Sequence, residues 1–187
     1  MKKFELTNEF VTNMFGTKLF RIRALVEFGD VEAGELGGYV EKESNLGHDD
    51  NAWVYDNAWV YGDAQVSGDA LVYDNARVYD NAWVYGNAQV SGDARVCDDA
   101  RVCGNGDYAY AHGFGSVNRT TTFFRLKDGG VGVRCGCFYG TLAQFRDKIR
   151  ETHGETKKAQ EYLMLADLME LRFEEDENEV GNRKYVE

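Results

Sequence analysis

Between residues 51 and 104 the chain consists of nine consecutive six-residue units with no insertion: NAWVYD, NAWVYG, DAQVSG, DALVYD, NARVYD, NAWVYG, NAQVSG, DARVCD and DARVCG. The second residue of every unit is Ala and the fourth is Val. Positions two apart in an extended segment share a face, so pairs such as Ala52/Val54 and Ala58/Val60 turn one small and one β-branched side chain inward. The Asn, Asp or Gly at the unit ends tolerates left-handed backbone angles and supplies side-chain-to-backbone turn bonds. Each unit therefore predicts one short strand and one corner of a coiled tube. The chain has no proline and 21 glycines, which agrees with corners built from Gly and Asx turns.

The remaining composition sets the class. With 187 residues, 43% of them apolar, the chain is long enough for one sizeable core or two small ones. No run approaches the ~18 apolar residues of a membrane span, and Glu5 and Glu9 interrupt the first apolar stretch. A cytoplasmic protein without membrane contact is expected. Cys97, Cys103, Cys135 and Cys137 lack zinc-knuckle spacing and are expected to be reduced thiols, with no metal and no cofactor.

The hexads resemble those of the left-handed parallel β-helix, the hexapeptide-repeat family. The resemblance implies a mainly β protein in which three hexads make one triangular coil. Gly37-Gly38-Tyr39-Val40 and Asn45-Leu46 read as a degenerate first coil, with a two-residue slip between Leu46 and Val54. Three regions are expected: an N-terminal β cap (1–35), the β-helix (36–107) and a small C-terminal α+β module (108–187). In the cap, Phe20, Ile22 and Ala24 predict a strand paired with Lys3–Leu6 or Glu9–Val11. In the C-terminal module, Thr120–Lys127 and Val131–Phe138 flank the turn Asp128-Gly129-Gly130. Thr141 and Gln144 then form a capping box for a helix bearing Leu142, Phe145 and Ile149 on one side, stopped by Gly154. A second helix runs from about Lys157 to Phe173, followed by an acidic stretch, Glu174–Glu179, expected in solvent. LFRIRAL (19–25), GELGGYV (34–40), CGCFYGTLAQF (135–145) and ETHG (151–154) also resemble hexapeptide-repeat proteins of phages and prophages with a C-terminal hairpin-and-two-helix module.

Three hexads per coil place residues eighteen apart in one column. The outward columns are then Trp53/Leu71/Gln89 beside Tyr55/Tyr73/Ser91, Trp59/Arg77/Arg95 beside Tyr61/Tyr79/Cys97, and Gln65/Trp83/Arg101 beside Ser67/Tyr85/Cys103. Aromatic columns on the outside suggest an interface, and homotrimerisation is what the family resemblance implies. Stacking of the rings within the ladder is the alternative.

The hexapeptide acyltransferases, which the repeats also resemble, generally use a histidine base near a subunit boundary, and the nine hexads contain no histidine. His48 reads as a turn residue and His153 as a helix cap, which leaves His112 in its aromatic, glycine-rich segment as the candidate for ligand contact or base. The net charge of -11 disfavours a nucleic-acid polymer as partner, yet residues 95–150 carry nine Lys/Arg against five acids. The expected function is a non-catalytic oligomeric binding protein holding a small anionic, nucleotide-like ligand where the last coils meet the C-terminal module. Arg119, Arg125 and Arg134 are expected to pair with the anion, His112 and Tyr139 to stack or hydrogen-bond, and Arg95 and Arg101 to form a second basic fringe. In a phage context, in the host cytoplasm, sequestration of an immune signalling nucleotide fits; acyl transfer from acyl-CoA is the alternative.

Overall fold

The computed structural model describes residues 2–115 and 119–174. Strands β1 (Phe4–Thr12) and β2 (Lys18–Ala24) form an antiparallel pair, and β3 (Leu36–Val40) joins β2 to the coils. Nine two-residue strands follow, β4 to β12: Trp53–Val54, Trp59–Val60, Gln65–Val66, Leu71–Val72, Arg77–Val78, Trp83–Val84, Gln89–Val90, Arg95–Val96 and Arg101–Val102. They wind into three parallel faces, β3-β5-β8-β11, β4-β7-β10 and β6-β9-β12. Register partners are eighteen residues apart, as in Trp53↔Leu71↔Gln89 and Trp59↔Arg77↔Arg95, so three hexads make one coil. The preceding partial coil carries the expected slip: Val40 pairs with Val60 and Leu46 with Val66, twenty residues apart.

The interior is the repeated pair. Every alanine from Ala52 to Ala100 and every valine from Val54 to Val102 in the hexads is buried. Each strand thus adds one methyl and one isopropyl group to a continuous apolar column, at about 25 cal/mol for each Å² withdrawn from water. Corners place either glycine or aspartate in the left-handed region: Asp56, Asp74, Asp80 and Asp98 have φ of 52–59°. Aspartate compensates for that strain by reaching to the next coil, as Asp74 N–H donates to Asp56 Oδ2 (3.3 Å) and Gly92 N–H to Asp74 Oδ2 (3.0 Å).

Both ends of the tube are closed. At the N-terminal end the buried Lys3 Nζ donates to the carbonyls of Asp50 and Ala52, each at 2.8 Å. The Phe4 and Phe28 rings pack edge-on against Trp53, at 6.2 and 5.3 Å. Trp53 is therefore fully buried, which corrects its expected place on an outer aromatic column; further along the same column Leu71 is half-buried and Gln89 exposed. The exposed-ladder expectation changes elsewhere too. Tyr61 and Tyr79 stack at 5.1 Å, Trp83 lies 4.7 Å from Tyr85, and the Trp83 indole donates to Ser67 Oγ at 3.0 Å. The rings largely satisfy one another within the chain.

At the far end, side-chain oxygens stand where a further coil's carbonyls would be. Gln89 N–H donates to Asn105 Oδ1, Arg95 N–H to Thr122 Oγ1 and Cys103 N–H to Asp107 Oδ2, one on each face, at 2.8–3.0 Å. These residues lie in or beside an antiparallel sheet, β13 (Tyr108–Phe114), β14 (Arg119–Arg125), β15 (Val131–Cys135) and β16 (Phe138–Thr141). Helices α1 (Leu142–His153) and α2 (Lys157–Phe173) cover that sheet through Leu142, Phe145, Ile149, Tyr162 and Met169. The Thr141–Gln144 capping box forms as expected. The β15–β16 turn departs from expectation: Gly136 (φ 60°) and Cys137 make a two-residue hairpin, so Cys137 lies in the turn and shares no strand face with Cys135. The acidic stretch beyond Glu174 lies outside the described residues. No helix among them is long and apolar enough to cross a membrane.

Candidate functional site

Where β8 and β11 run out beneath the C-terminal sheet, a cleft of about 470 Å³ opens between Arg77, Arg95 and Asp93 of the coils and His112, Arg119 and Thr120 of the sheet. The repeat makes its floor. Arg77 and Arg95 occupy the same hexad position one coil apart, and register places them directly opposite each other. The Arg77 guanidinium lies 4.2 Å from the centre of the Trp59 ring one coil earlier, a flat seat that orients its plane. Arg95 is fixed from above by the bond from its backbone to Thr122.

The other wall comes from β13, β14 and the β15–β16 turn. His112 Nδ1 lies 2.9 Å from Thr120 Oγ1 and 4.0 Å from Asp93 Oδ2, and all three residues line the cleft. The Arg119 guanidinium rests against Gly136, whose left-handed φ of 60° favours glycine; a Cβ there would meet only the movable end of the Arg119 side chain. Arg21, Arg23 and Arg146 are each paired with carboxylates. Arg77, Arg95 and Arg119 have no such partner among the described residues. Among the described residues, three guanidinium groups without a carboxylate partner and an imidazole thus line one cavity, with Asp93 the one acid beside them.

Of the residues singled out from the sequence, Arg95, His112 and Arg119 meet in this cleft, and the other four lie elsewhere. Arg101 lies on the next face, where it donates to the carbonyls of Asn81 (3.0 Å) and Ala100 (2.8 Å) beside Trp83. Arg125 is 8% exposed and donates to the carbonyls of Gly129 and Phe173, each at 3.1 Å, tying the hairpin to the end of α2. Arg134 and Tyr139 are register partners on β15 and β16, on the side of the sheet that covers Tyr79 and Cys97. Burial, then the charges of Asp98 and its neighbours, push the Tyr139 phenol up to about 12. Arg77 is the cleft residue that charge counting over 95–150 missed; its signal was its eighteen-residue spacing from Arg95.

A second titratable group lies below Arg134. Asp80, Cys97 and Asp98 bring one potential ligand atom each within 4.8 Å of one another. Burial holds the Cys97 thiol far above its ordinary pKa, and the Arg134 charge acts on both Asp80 and Cys97.

Comparison with known proteins bears on the coils. The family model described as YdcK beta solenoid repeat matches residues 64–76, 72–86, 76–92 and 88–104. No curated protein sequence matches the chain. The match stays within the repeats that supply Arg77 and Arg95 and does not reach the sheet that supplies His112 and Arg119. In its coils the chain is thus similar to YdcK-type β-solenoid repeats and has the architecture of a repeat β-helix protein.

Proposed function

We propose that this chain is a non-catalytic binding protein that holds a small anionic, nucleotide-like ligand in the cleft formed by Arg77, Arg95, His112 and Arg119. One observation carries the reading: three arginines that have no carboxylate partner among the described residues converge on one cavity in a chain of net charge -11. Leaving like charges together costs stability, whereas a phosphate between them gains forked, charge-assisted hydrogen bonds. Thr120 and His112 add further hydrogen-bonding groups at the cleft.

Within this proposal the protein is a hexapeptide-repeat member encoded by a phage, acting in the host cytoplasm to sequester an immune signalling nucleotide, with neither a nucleic-acid polymer nor a membrane as partner. It works as a homotrimer, the stoichiometry implied by the sequence resemblance. Support for self-association comes from exposed Met164, Leu168 and Leu171 on α2 and from Met14 and Phe15 at the tip of the β1–β2 hairpin.

Calorimetric titration with inorganic phosphate and with a nucleoside monophosphate tests the site. Arg95→Gln and Arg119→Gln are each expected to weaken binding by about tenfold or more, from the ~1.5–3 kcal/mol of a charged hydrogen bond. Affinity unchanged in the double variant overturns the assignment. Native mass spectrometry of protein purified from infected cells reads subunit number and retained ligand together.

A further inference from the structure

A second cleft, of about 260 Å³, lies on the other side of Arg119, and its walls are Cys135, Cys137, Phe138, Phe145, Ile149 and Tyr162. The two cavities share the Arg119 side chain, and the β15–β16 turn is the ridge between them: Gly136 lines the arginine cleft and Cys137 the apolar one. The rings of the second cleft form a continuous aromatic box. Phe138 and Phe145 are 5.5 Å apart, Phe145 and Tyr162 meet edge-on at 5.8 Å, and His153 stacks on Tyr162 at 5.9 Å. An apolar recess beside a charged one is what a compact ligand with two chemically different ends requires.

Building on the anion-binding reading, we infer that the ligand is a small phosphate ester that carries a flat aromatic or heteroaromatic ring, its phosphate among Arg77, Arg95 and Arg119 and its ring in the aromatic box. Three features favour a ring over an alkyl chain. The recess is short, its walls are mostly aromatic although Phe145 and Tyr162 are themselves core residues, and Arg119 at the boundary can lie over a ring while forking onto the phosphate. Arg119 lines both cavities, with its guanidinium against the Gly136 turn that divides them.

The test compares inorganic phosphate, phenyl phosphate and phenol by calorimetry, and follows alkylation of the exposed Cys137 by peptide mass spectrometry. Phenyl phosphate is expected to bind about tenfold tighter than inorganic phosphate, from the apolar area its ring buries. It is also expected to slow alkylation of Cys137, which inorganic phosphate leaves unchanged. Thr152→Trp, at an exposed position on the rim of the apolar cleft, is expected to abolish the phenyl increment and spare phosphate binding. If phosphate binds but phenyl phosphate binds no tighter and does not protect Cys137, the inference is overturned while the anion site stands. If neither phosphate compound binds, the anion site itself falls, and the inference with it.

Discussion

Arg77 and Arg95 stand opposite each other on adjacent parallel strands of one face, with Trp59 beneath the first and Thr122 above the second. Strand spacing sets their backbones ~4.8 Å apart, so the tube holds two positive charges at close quarters without a carboxylate between them. The solenoid's covalent repeat keeps this pair together in the absence of ligand.

That arrangement predicts effects of opposite sign from one substitution. Arg95→Gln relieves like-charge repulsion and is expected to leave the ligand-free protein as stable as wild type or more stable by ~0.2–1 kcal/mol. The same variant should lose most of the thermal stabilisation that phosphate gives the wild type. Thermal melts with and without phosphate check both halves; a destabilised apo protein would speak against a built anion site.

Burial separates two tryptophans that share a hexad position. Trp53→Ala removes a fully buried ring from between Phe4, Phe28 and the coils and is expected to cost ~3–5 kcal/mol. Trp59→Ala, at a half-buried position one hexad later, should cost clearly less. Urea denaturation of the two variants measures the difference, and equal losses would contradict the cap's role.

The corner aspartates give a graded series at Asp74, whose φ is 59° and whose carboxylate accepts from Gly92 N–H. Asn keeps both the acceptor and tolerance of the left-handed region, Gly keeps only the tolerance, and Ala keeps neither. Stability is expected to fall in the order Asn, Gly, Ala, with Ala ~1–2 kcal/mol below Asn. Chemical denaturation ranks them; Ala equal to Asn would remove the ladder from the account of the corners.

Asp80 has a pH signature. Desolvation against the coils, then the Asp98 carboxylate one coil on, raise its pKa above the ordinary carboxyl value. The native state therefore holds this proton more tightly than the unfolded chain, so its contribution to stability grows as pH falls through the raised pKa and levels off below the ordinary one. Asp80→Asn should be more stable than wild type at neutral pH and converge with it in acid. A gap in melting temperature that widens toward low pH would refute the raised pKa.

Sequence and structure agree most closely where one rule repeats. Ala and Val point inward in all nine hexads, so the strand positions and the inward face followed from spacing. Three hexads per coil, and with it the register and the columns, came from the family resemblance, and Val40 and Leu46 extended the pattern across the slip. Coverage of an outward column was not legible in the same way, because the residues that bury Trp53, Phe4 and Phe28, come from a segment outside the repeat. Charge was a partial guide to the cleft. It found Arg95 and Arg119 but also selected Arg125, whose buried bonds to Gly129 and Phe173 depend on how α2 docks. The Gly136–Cys137 hairpin was missed because a Gly-X pair between short strands reads as strand continuation until β16 is seen to fold back.

The caps at the two ends of the tube use side chains from outside the nine hexads, or from the single partial coil before them. The tube's length is therefore independent of its closures. Inserting eighteen residues of repeat among the early hexads would move Lys3 and the hairpin beyond it one strand spacing, ~4.8 Å, further from the arginines while leaving each neighbourhood intact. The separation between the two ends of this molecule is graduated in whole steps, like marks on a ruler, and length variants of this protein should differ by whole coils.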